Sequence, residues 1–173
     1  MSDIDALRAL VTDAFSRVEQ LVDGIADGLS PEVATYRPDP GANSIAWLIW
    51  HASRVLDDHV ADLAGVDQIW PQWRDRFGLP FDDFATGYGH SSDQVAQVRV
   101  SGELLAGYHH DVQQLARDYI ARLDQAELGR VVDGNWDPPV TASVRLVSVI
   151  GDITQHLGQA AYVKGLAERA GVK

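Results

Sequence analysis

Two side chains that can bind a metal ion lie one helical turn apart in this sequence, and a third stands alone far upstream. Asp152 and His156 are four positions apart, and His51 lies among apolar residues about a hundred positions earlier. A helix advances about 100° per residue, so residues i and i+4 share a face and can point at the same place. If His51 comes from a neighbouring helix, the three side chains form a mixed nitrogen and oxygen site for a divalent metal ion.

Each of these residues also has a purely structural interpretation. His51 lies on the same stripe as Leu48 and Val55, where a buried histidine bonded to a backbone carbonyl is the commoner finding. Asp152 on an apolar helix face needs a partner, because a buried carboxylate without one is costly. Arg145, seven residues earlier, is a candidate for that partner in a buried salt bridge. The combination of three such residues still favours metal binding, because bundle interiors hold metal sites built from facing helices.

Composition limits the classes of function. The chain has 173 residues, of which 46% are hydrophobic and 23% charged, and this predicts one globular domain over residues 1–173. The net charge of -11 argues against nucleic acid or an anionic membrane as partner. The sequence has neither a basic amino-terminal region nor a long apolar run, and a cytoplasmic location is therefore expected. Because there is no cysteine, a thiol nucleophile must come from a small molecule.

Four amphipathic segments are predicted to position the three residues. Their apolar side chains recur every three or four positions, as in helices with one buried face. The first segment has its apolar stripe over residues 7–25 after a capping pair of Ser2 and Asp5, the second runs from a cap at Asn43 or Ser44 to Gly65, the third from Ser91 to Leu123, and the fourth from Thr141 to about Arg169. The predicted fold is an all-α four-helix bundle.

Two further features of the sequence suggest a ligand pocket. A segment between helices two and three, residues 70–81, is aromatic but broken by Pro and Gly, and predicts a long ordered loop. Trp70 and Trp73 from this loop, with Trp136 from a later turn, are candidates to wall a substrate pocket. Gly151 and Gly158 near the two potential ligands predict the close approach of another helix or of a ligand, since neither has a Cβ.

The remaining histidines have weaker claims to a role. Asp58 and His59 lie two turns beyond His51, where a solvated position near the end of the bundle is expected. His109 and His110 are adjacent and point about 100° apart, so both cannot face one metal ion. His90 is predicted to lie in a loop.

The residues around the potential ligands resemble a known family. The segments NSIAWLIWHASRV (43–55) and DITQHLGQA (152–160) are similar to the DinB-like (YfiT-like) family of metal-binding four-helix bundles, and the similarity covers most of the chain. The resemblance implies a divalent metal ion, zinc or nickel, held by His51, Asp152 and His156. The nearest branch includes mycothiol-dependent maleylpyruvate isomerase, which has glutamate where this chain has Asp152. A homodimer is a further expectation from the resemblance.

Three functions are compatible with these observations. In the first, a thiol such as mycothiol binds at an open metal position, loses its proton and attacks a small-molecule electrophile, giving S-transfer or isomerisation. In this hypothesis Arg145 binds an anionic substrate group or orients Asp152. In the second, metal-bound water makes the protein a hydrolase, with Asp58 as a candidate base. In the third, the bundle is a non-catalytic metal-binding or stress-response protein, with Asp58, His59 or His109 as a fourth ligand.

Overall fold

The structure is a computed structural model that describes residues 2–173 and is predominantly helical; Met1 lies outside the described residues. The helices are α1 (Asp3–Ala26), α2 (Pro31–Ala34), α3 (Ile45–Ala64), α4 (Arg74–Phe77), α5 (Ser92–Val95), α6 (Gly102–Ile120), α7 (Gln125–Gly129) and α8 (Ala142–Arg169). Strands β1 (Val131–Asp133) and β2 (Val140–Thr141) form a small antiparallel pair. The predicted all-α class is confirmed.

Local capping sets the ends of the long helices. The Ser2 hydroxyl accepts from the backbone N–H of Asp5, while the Asp5 carboxylate accepts from the backbone N–H of Ser2, which closes a capping box before α1. Ser44 caps α3, and Gly65 ends it with a left-handed φ of 67°. Thr141 caps α8. These boundaries confirm the sequence predictions.

The four long helices form most of the core. Helix α3 packs against α6 and α8, and α1 packs against the same two helices. Of the 20 residues of α3, 15 are buried, so this helix is covered on most of its circumference. Such a helix places even its polar side chains inside the protein, where they need partners. His51 is one of them.

The third long helix begins later than the sequence predicts. Ser91 does cap a helix, but this is the one-turn α5, and the long helix α6 begins only after a second cap at Ser101. The hydroxyl of Ser101 accepts from the backbone N–H of Leu104 and so caps α6 locally. Gly102, the first residue of α6, lies against the end of α1, where a Cβ would lie 2.5 Å from the carbonyl oxygen of Ala26.

The aromatic segment does not form the wall that was expected. Residues 70–81 begin with a 3₁₀ turn and α4, and Trp70 and Trp73 are buried in the core beside Tyr108. Trp136 is instead exposed on the surface. None of the three tryptophans lines the cleft described below, although Trp70 lines two other surface cavities. Burial of Trp70 and Trp73 in the core removes a large apolar area from water.

None of the described helices combines the length and the apolar character that crossing a membrane requires.

Candidate metal centre

Helices α3 and α8 bring three potential ligands together. His51 comes from α3, while Asp152 and His156 come from successive turns of α8. Each offers one donor atom, and the three atoms all lie within 4.8 Å of one another. His51 is buried, whereas Asp152 and His156 are half-buried. The described residues contain no other group of three such side chains.

A backbone carbonyl sets the orientation of His51. Its Nδ1 lies 2.5 Å from the carbonyl oxygen of Thr86. A carbonyl oxygen only accepts, so Nδ1 carries the hydrogen and Nε2 keeps its lone pair. The ring also stacks on Trp47, with 4.7 Å between ring centroids and an angle of 17° between planes. Burial lowers the pKa of His51, although the bond to Thr86 opposes this effect. The imidazole is thus held neutral and ready to donate a lone pair.

The two residues on α8 have polar atoms that lack partners. His156 Nε2 lies 3.6 Å from Asp152 Oδ1. The second carboxylate oxygen of Asp152 and Nδ1 of His156 are buried, and neither has a hydrogen-bond partner among the described residues. Buried polar atoms without partners are rare because they forfeit their hydration. A carboxylate and two imidazoles are ligand types that zinc and nickel accept, so the side chains fit a divalent metal ion.

Gly87 lies directly against this site, and the sequence analysis missed it. Its φ is 97°, and a Cβ there would lie 2.9 Å from Nδ1 of His51, 3.0 Å from the Trp50 ring and 3.1 Å from the Trp47 ring. Only glycine allows the backbone to approach these rings so closely. The sole signal in the sequence is a pair of glycines at positions 87 and 89.

A buried polar network anchors the same loop. Arg54 and Asp57 lie on α3, and both side chains are fully buried. Arg54 donates through Nε to the carbonyl oxygen of Ala85 at 3.0 Å, next to the residue that bonds His51. Asp57 accepts from the hydroxyl of Tyr108 at 2.7 Å and from two backbone N–H groups. Burial raises the pKa of Asp57, and these donors oppose that shift. The i, i+3 spacing of Arg54 and Asp57 in an apolar helix was the available signal.

A cleft of about 310 Å³ opens beside the three potential ligands. Its lining includes His51, Asp152, Asp58, His59, Thr86 and Tyr88. Asp58 and His59 therefore face the same cavity as two of the three side chains. Asp58 also accepts a hydrogen bond from Gln68 at 2.8 Å.

Arg145 does not pair with Asp152 in the part of the chain that the structure describes. Its Nη2 lies 3.7 Å from Oδ2 of Asp133, the last residue of β1. The alternative of a buried Arg145 to Asp152 salt bridge is therefore wrong. Gly151 and Gly158 also differ from the prediction, because a Cβ at either position would meet no described atom within 4 Å. Both glycines are exposed and face neither a helix of this chain nor the cleft lining.

Histidines 90, 109 and 110 have hydrogen-bond partners outside the three potential ligands. His109 is fully buried between Ser53 Oγ at 2.9 Å and Gln113 Nε2 at 3.1 Å. Burial lowers the pKa of His109 to about 3. His110 is exposed and pairs with Asp23. His90, in the predicted loop, accepts from the indole N–H of Trp47 at 3.2 Å and so supports the ring that stacks on His51.

The fold and the site together describe an all-α protein with a potential metal-binding triad between two of its long helices. A family model described as Mycothiol-S-transferase matches residues 6–168. The chain belongs to this mycothiol S-transferase family, which is part of the DinB/YfiT-like superfamily. A solved structure, described as the conserved protein of locus from Enterococcus faecalis, is similar with a TM-score of 0.84 and 31% identity, over 90% of this chain and 94% of that chain. A comparison with curated proteins found no match.

Proposed function

We propose that this protein is a metal-dependent thiol transferase. It uses a low-molecular-weight thiol such as mycothiol, and it transfers the sulfur to a small-molecule electrophile or isomerises that molecule through a thiol adduct. His51, Asp152 and His156 hold the metal ion, which is zinc or nickel. The observation that carries the proposal is the convergence of three donor atoms within 4.8 Å in a chain that belongs to the mycothiol S-transferase family.

The residues present fit this chemistry. When bound, a divalent metal ion with an open coordination position lowers the pKa of a thiol so that the thiolate forms at neutral pH. The chain supplies no sulfur nucleophile of its own, because it has no cysteine. The Thr86 carbonyl fixes the His51 tautomer, a type of support that metal-binding histidines commonly have. The adjacent cleft offers about 310 Å³ for the reacting groups.

Arg145 has a more limited part in this proposal. Its ion pair with Asp133 argues against a direct role in orienting Asp152. The side chain is about a quarter exposed, so the guanidinium remains accessible to an anionic group of the substrate. The proposed role of Arg145 is therefore substrate binding rather than support of the ligand set.

Calorimetry with mycothiol tests the proposed function. Wild-type protein loaded with zinc or nickel is expected to bind the thiol, while the same protein stripped by a chelator is not. The His156→Ala variant is expected to lose both the metal ion, measured by elemental analysis, and thiol binding. The matched control is His110→Ala, which removes an exposed histidine on α6 and is expected to change neither.

The outcomes separate the three hypotheses made from the sequence. Absence of metal-dependent thiol binding in the wild type contradicts the transferase. Ester or amide cleavage by the metal-loaded protein without any thiol supports the hydrolase instead. A large loss of thermal stability in His156→Ala supports a structural metal ion, if the wild type shows neither metal-dependent thiol binding nor ester or amide cleavage.

The proposal also covers the domain organisation and the oligomeric state of the protein. We propose that residues 1–173 form one domain, a four-helix bundle, and this is supported by the mutual packing of α1, α3, α6 and α8.

We also propose a homodimer formed through the outer face of α8, where Val144, Val147 and Tyr162 are exposed. Sedimentation of the wild type is expected to give twice the monomer mass, and Val147→Asp is expected to give the monomer. A monomeric wild type contradicts the dimer.

A further inference from the structure

We propose that His59 is the residue that accepts the proton of the thiol as its sulfur becomes the nucleophile. This inference rests on the proposed function and assigns to one side chain a step that the three potential ligands cannot perform. In that proposal one donor atom of each binds the metal ion, whose positive charge disfavours a proton on the same side chains. The proton that leaves the thiol needs a different acceptor within the same cleft.

The position of His59 fits this role. It lies eight residues after His51 on α3, and its side chain lines the same cleft as His51 and Asp152. Eight residues are two helical turns plus about 80° of rotation, so His59 lies about 12 Å further along α3 than His51 and to one side of it, and both reach the same cleft. The side chain of His59 is 33% exposed, which leaves the ring reachable from the cleft while most of it is covered.

His59 also has ring nitrogens that the protein does not use. Among residues 2–173 it makes no hydrogen bond, and its nearest carboxylate oxygen, Oδ2 of Asp58, lies 3.8 Å from Nδ1. By contrast, each of the four histidines 51, 90, 109 and 110 has a partner within 3.2 Å. His59 is not a member of the potential metal-binding group. An imidazole that lines a cleft and has no partner is available to a substrate.

Burial and the nearby charges together keep the His59 ring neutral, so that it can accept a proton. Burial is the main factor that lowers its pKa, and the positive charge of Arg145 on α8 lowers it further. Asp58 and Asp62 on α3 and Asp152 on α8 act in the opposite direction but are outweighed. The imidazole is therefore neutral at pH 7, which is the protonation state that a general base requires.

The proton transfer balances within the cleft. The S–H bond of the thiol breaks, its electron pair stays on sulfur, and the proton forms a new N–H bond on His59. The sulfur pair then forms a bond to an electrophilic carbon of the substrate. For addition to a carbon–carbon double bond, the displaced π pair takes the proton from the His59 imidazolium, which restores the neutral ring. No oxidant or reductant takes part.

Calorimetry in buffers of different ionisation enthalpy tests this inference without relying on turnover. At pH 7, binding of mycothiol to zinc-loaded wild type is expected to release clearly less than one net proton, because the negative charge of the new thiolate raises the pKa of the His59 imidazolium beside it and part of the proton population stays on the ring. The His59→Gln and His59→Asn variants are expected to release about one proton per thiol bound. S-methyl mycothiol, which has no thiol proton, is expected to show no difference between the proteins. His110→Gln is the matched control and is expected to behave like the wild type.

Each result decides the matter. One proton released by the wild type as well as by the variants overturns the role of His59, while the observed thiol binding leaves the proposed function intact. A wild type that binds no thiol contradicts both proposals together. Loss of zinc from the His59 variants, measured by elemental analysis, overturns the inference by making His59 a ligand. With an electrophile present, kcat/KM of the variants is expected to fall by about 100-fold to 10,000-fold, and added imidazole is expected to restore part of it.

Discussion

Replacement of Gly87 by alanine is expected to weaken metal binding by a defined amount. The new Cβ would lie 2.9 Å from His51 Nδ1 and 3.0 Å from the Trp50 ring, closer than side-chain carbons approach such atoms. Both rings are buried, and Trp50 is covered completely, so they have little room to move. The loop must move instead. That movement separates the Thr86 carbonyl oxygen from the imidazole nitrogen to which it bonds.

Two effects contribute to the expected magnitude. An alanine with φ near 97° costs about 1–2 kcal/mol in backbone strain, which lowers the free energy of unfolding. Loss of the bond between Thr86 and His51 removes the support that fixes the imidazole, and loss of such support lowers metal affinity by about 10-fold to 100-fold. This range corresponds to about 1.4–2.8 kcal/mol of binding free energy.

A competition titration with a chromophoric zinc chelator measures the affinity, and thermal unfolding measures the stability. The chain provides a matched control in Gly89→Ala. Gly89 lies in the same loop with φ of 74°, but a Cβ there would meet no described atom within 4 Å. Both variants are expected to lose stability, and only Gly87→Ala is expected to lose zinc affinity. Equal zinc affinity in the two variants would refute the argument that the Gly87 contact supports His51.

Two further predictions concern stability. The pKa of buried His109 is lowered to about 3, so the unfolded chain takes up the proton first. Stability from this residue is therefore full above pH 6.5 and falls by roughly 1 kcal/mol per pH unit below it. Urea unfolding from pH 7.5 to 5 is expected to show a shallower decline in His109→Asn, and parallel curves would contradict this. Tyr108→Phe removes the hydroxyl that donates to Asp57, and urea unfolding is expected to show a loss of about 1–3 kcal/mol. The exposed Tyr162→Phe is expected to lose nothing, and an equal loss in both would contradict the role of the buried hydroxyl.

The boundaries of three long helices were predictable because they depend on local residues. Ser44 and Thr141 accept backbone hydrogen bonds from residues three positions later, and Gly65 adopts the left-handed conformation just after its helix. Such patterns are visible in a short window of sequence. The start of α6 is also capped locally, by Ser101, which accepts from the backbone N–H of Leu104. The sequence prediction chose the earlier cap at Ser91, which begins only the one-turn α5. The contact of Gly102 with the carbonyl of Ala26, 76 positions away, has no local pattern in the sequence.

The same distinction applies to the candidate metal centre. Asp152 and His156 were found because their spacing matches one turn of a helix, and His51 was found because it interrupts an apolar stripe. Thr86 and Gly87 were missed, since their contacts with His51 join a loop to a helix over 35 residues of sequence. A backbone carbonyl leaves no trace in the identity of its residue. Gly87 could be seen in the sequence, but a side chain is excluded there by the rings of α3, which the sequence around Gly87 does not reveal.

The contacts of helix α3 link the candidate metal centre to the core of the protein. One helical turn separates His51 from Arg54, and these two side chains donate to consecutive backbone carbonyls, those of Thr86 and Ala85. Arg54 in turn contacts the hydroxyl of Tyr108 on α6. A displacement of this buried network therefore moves the same loop that fixes the His51 tautomer. For this reason substitutions in the core near α6 are expected to change the candidate metal site without touching a ligand.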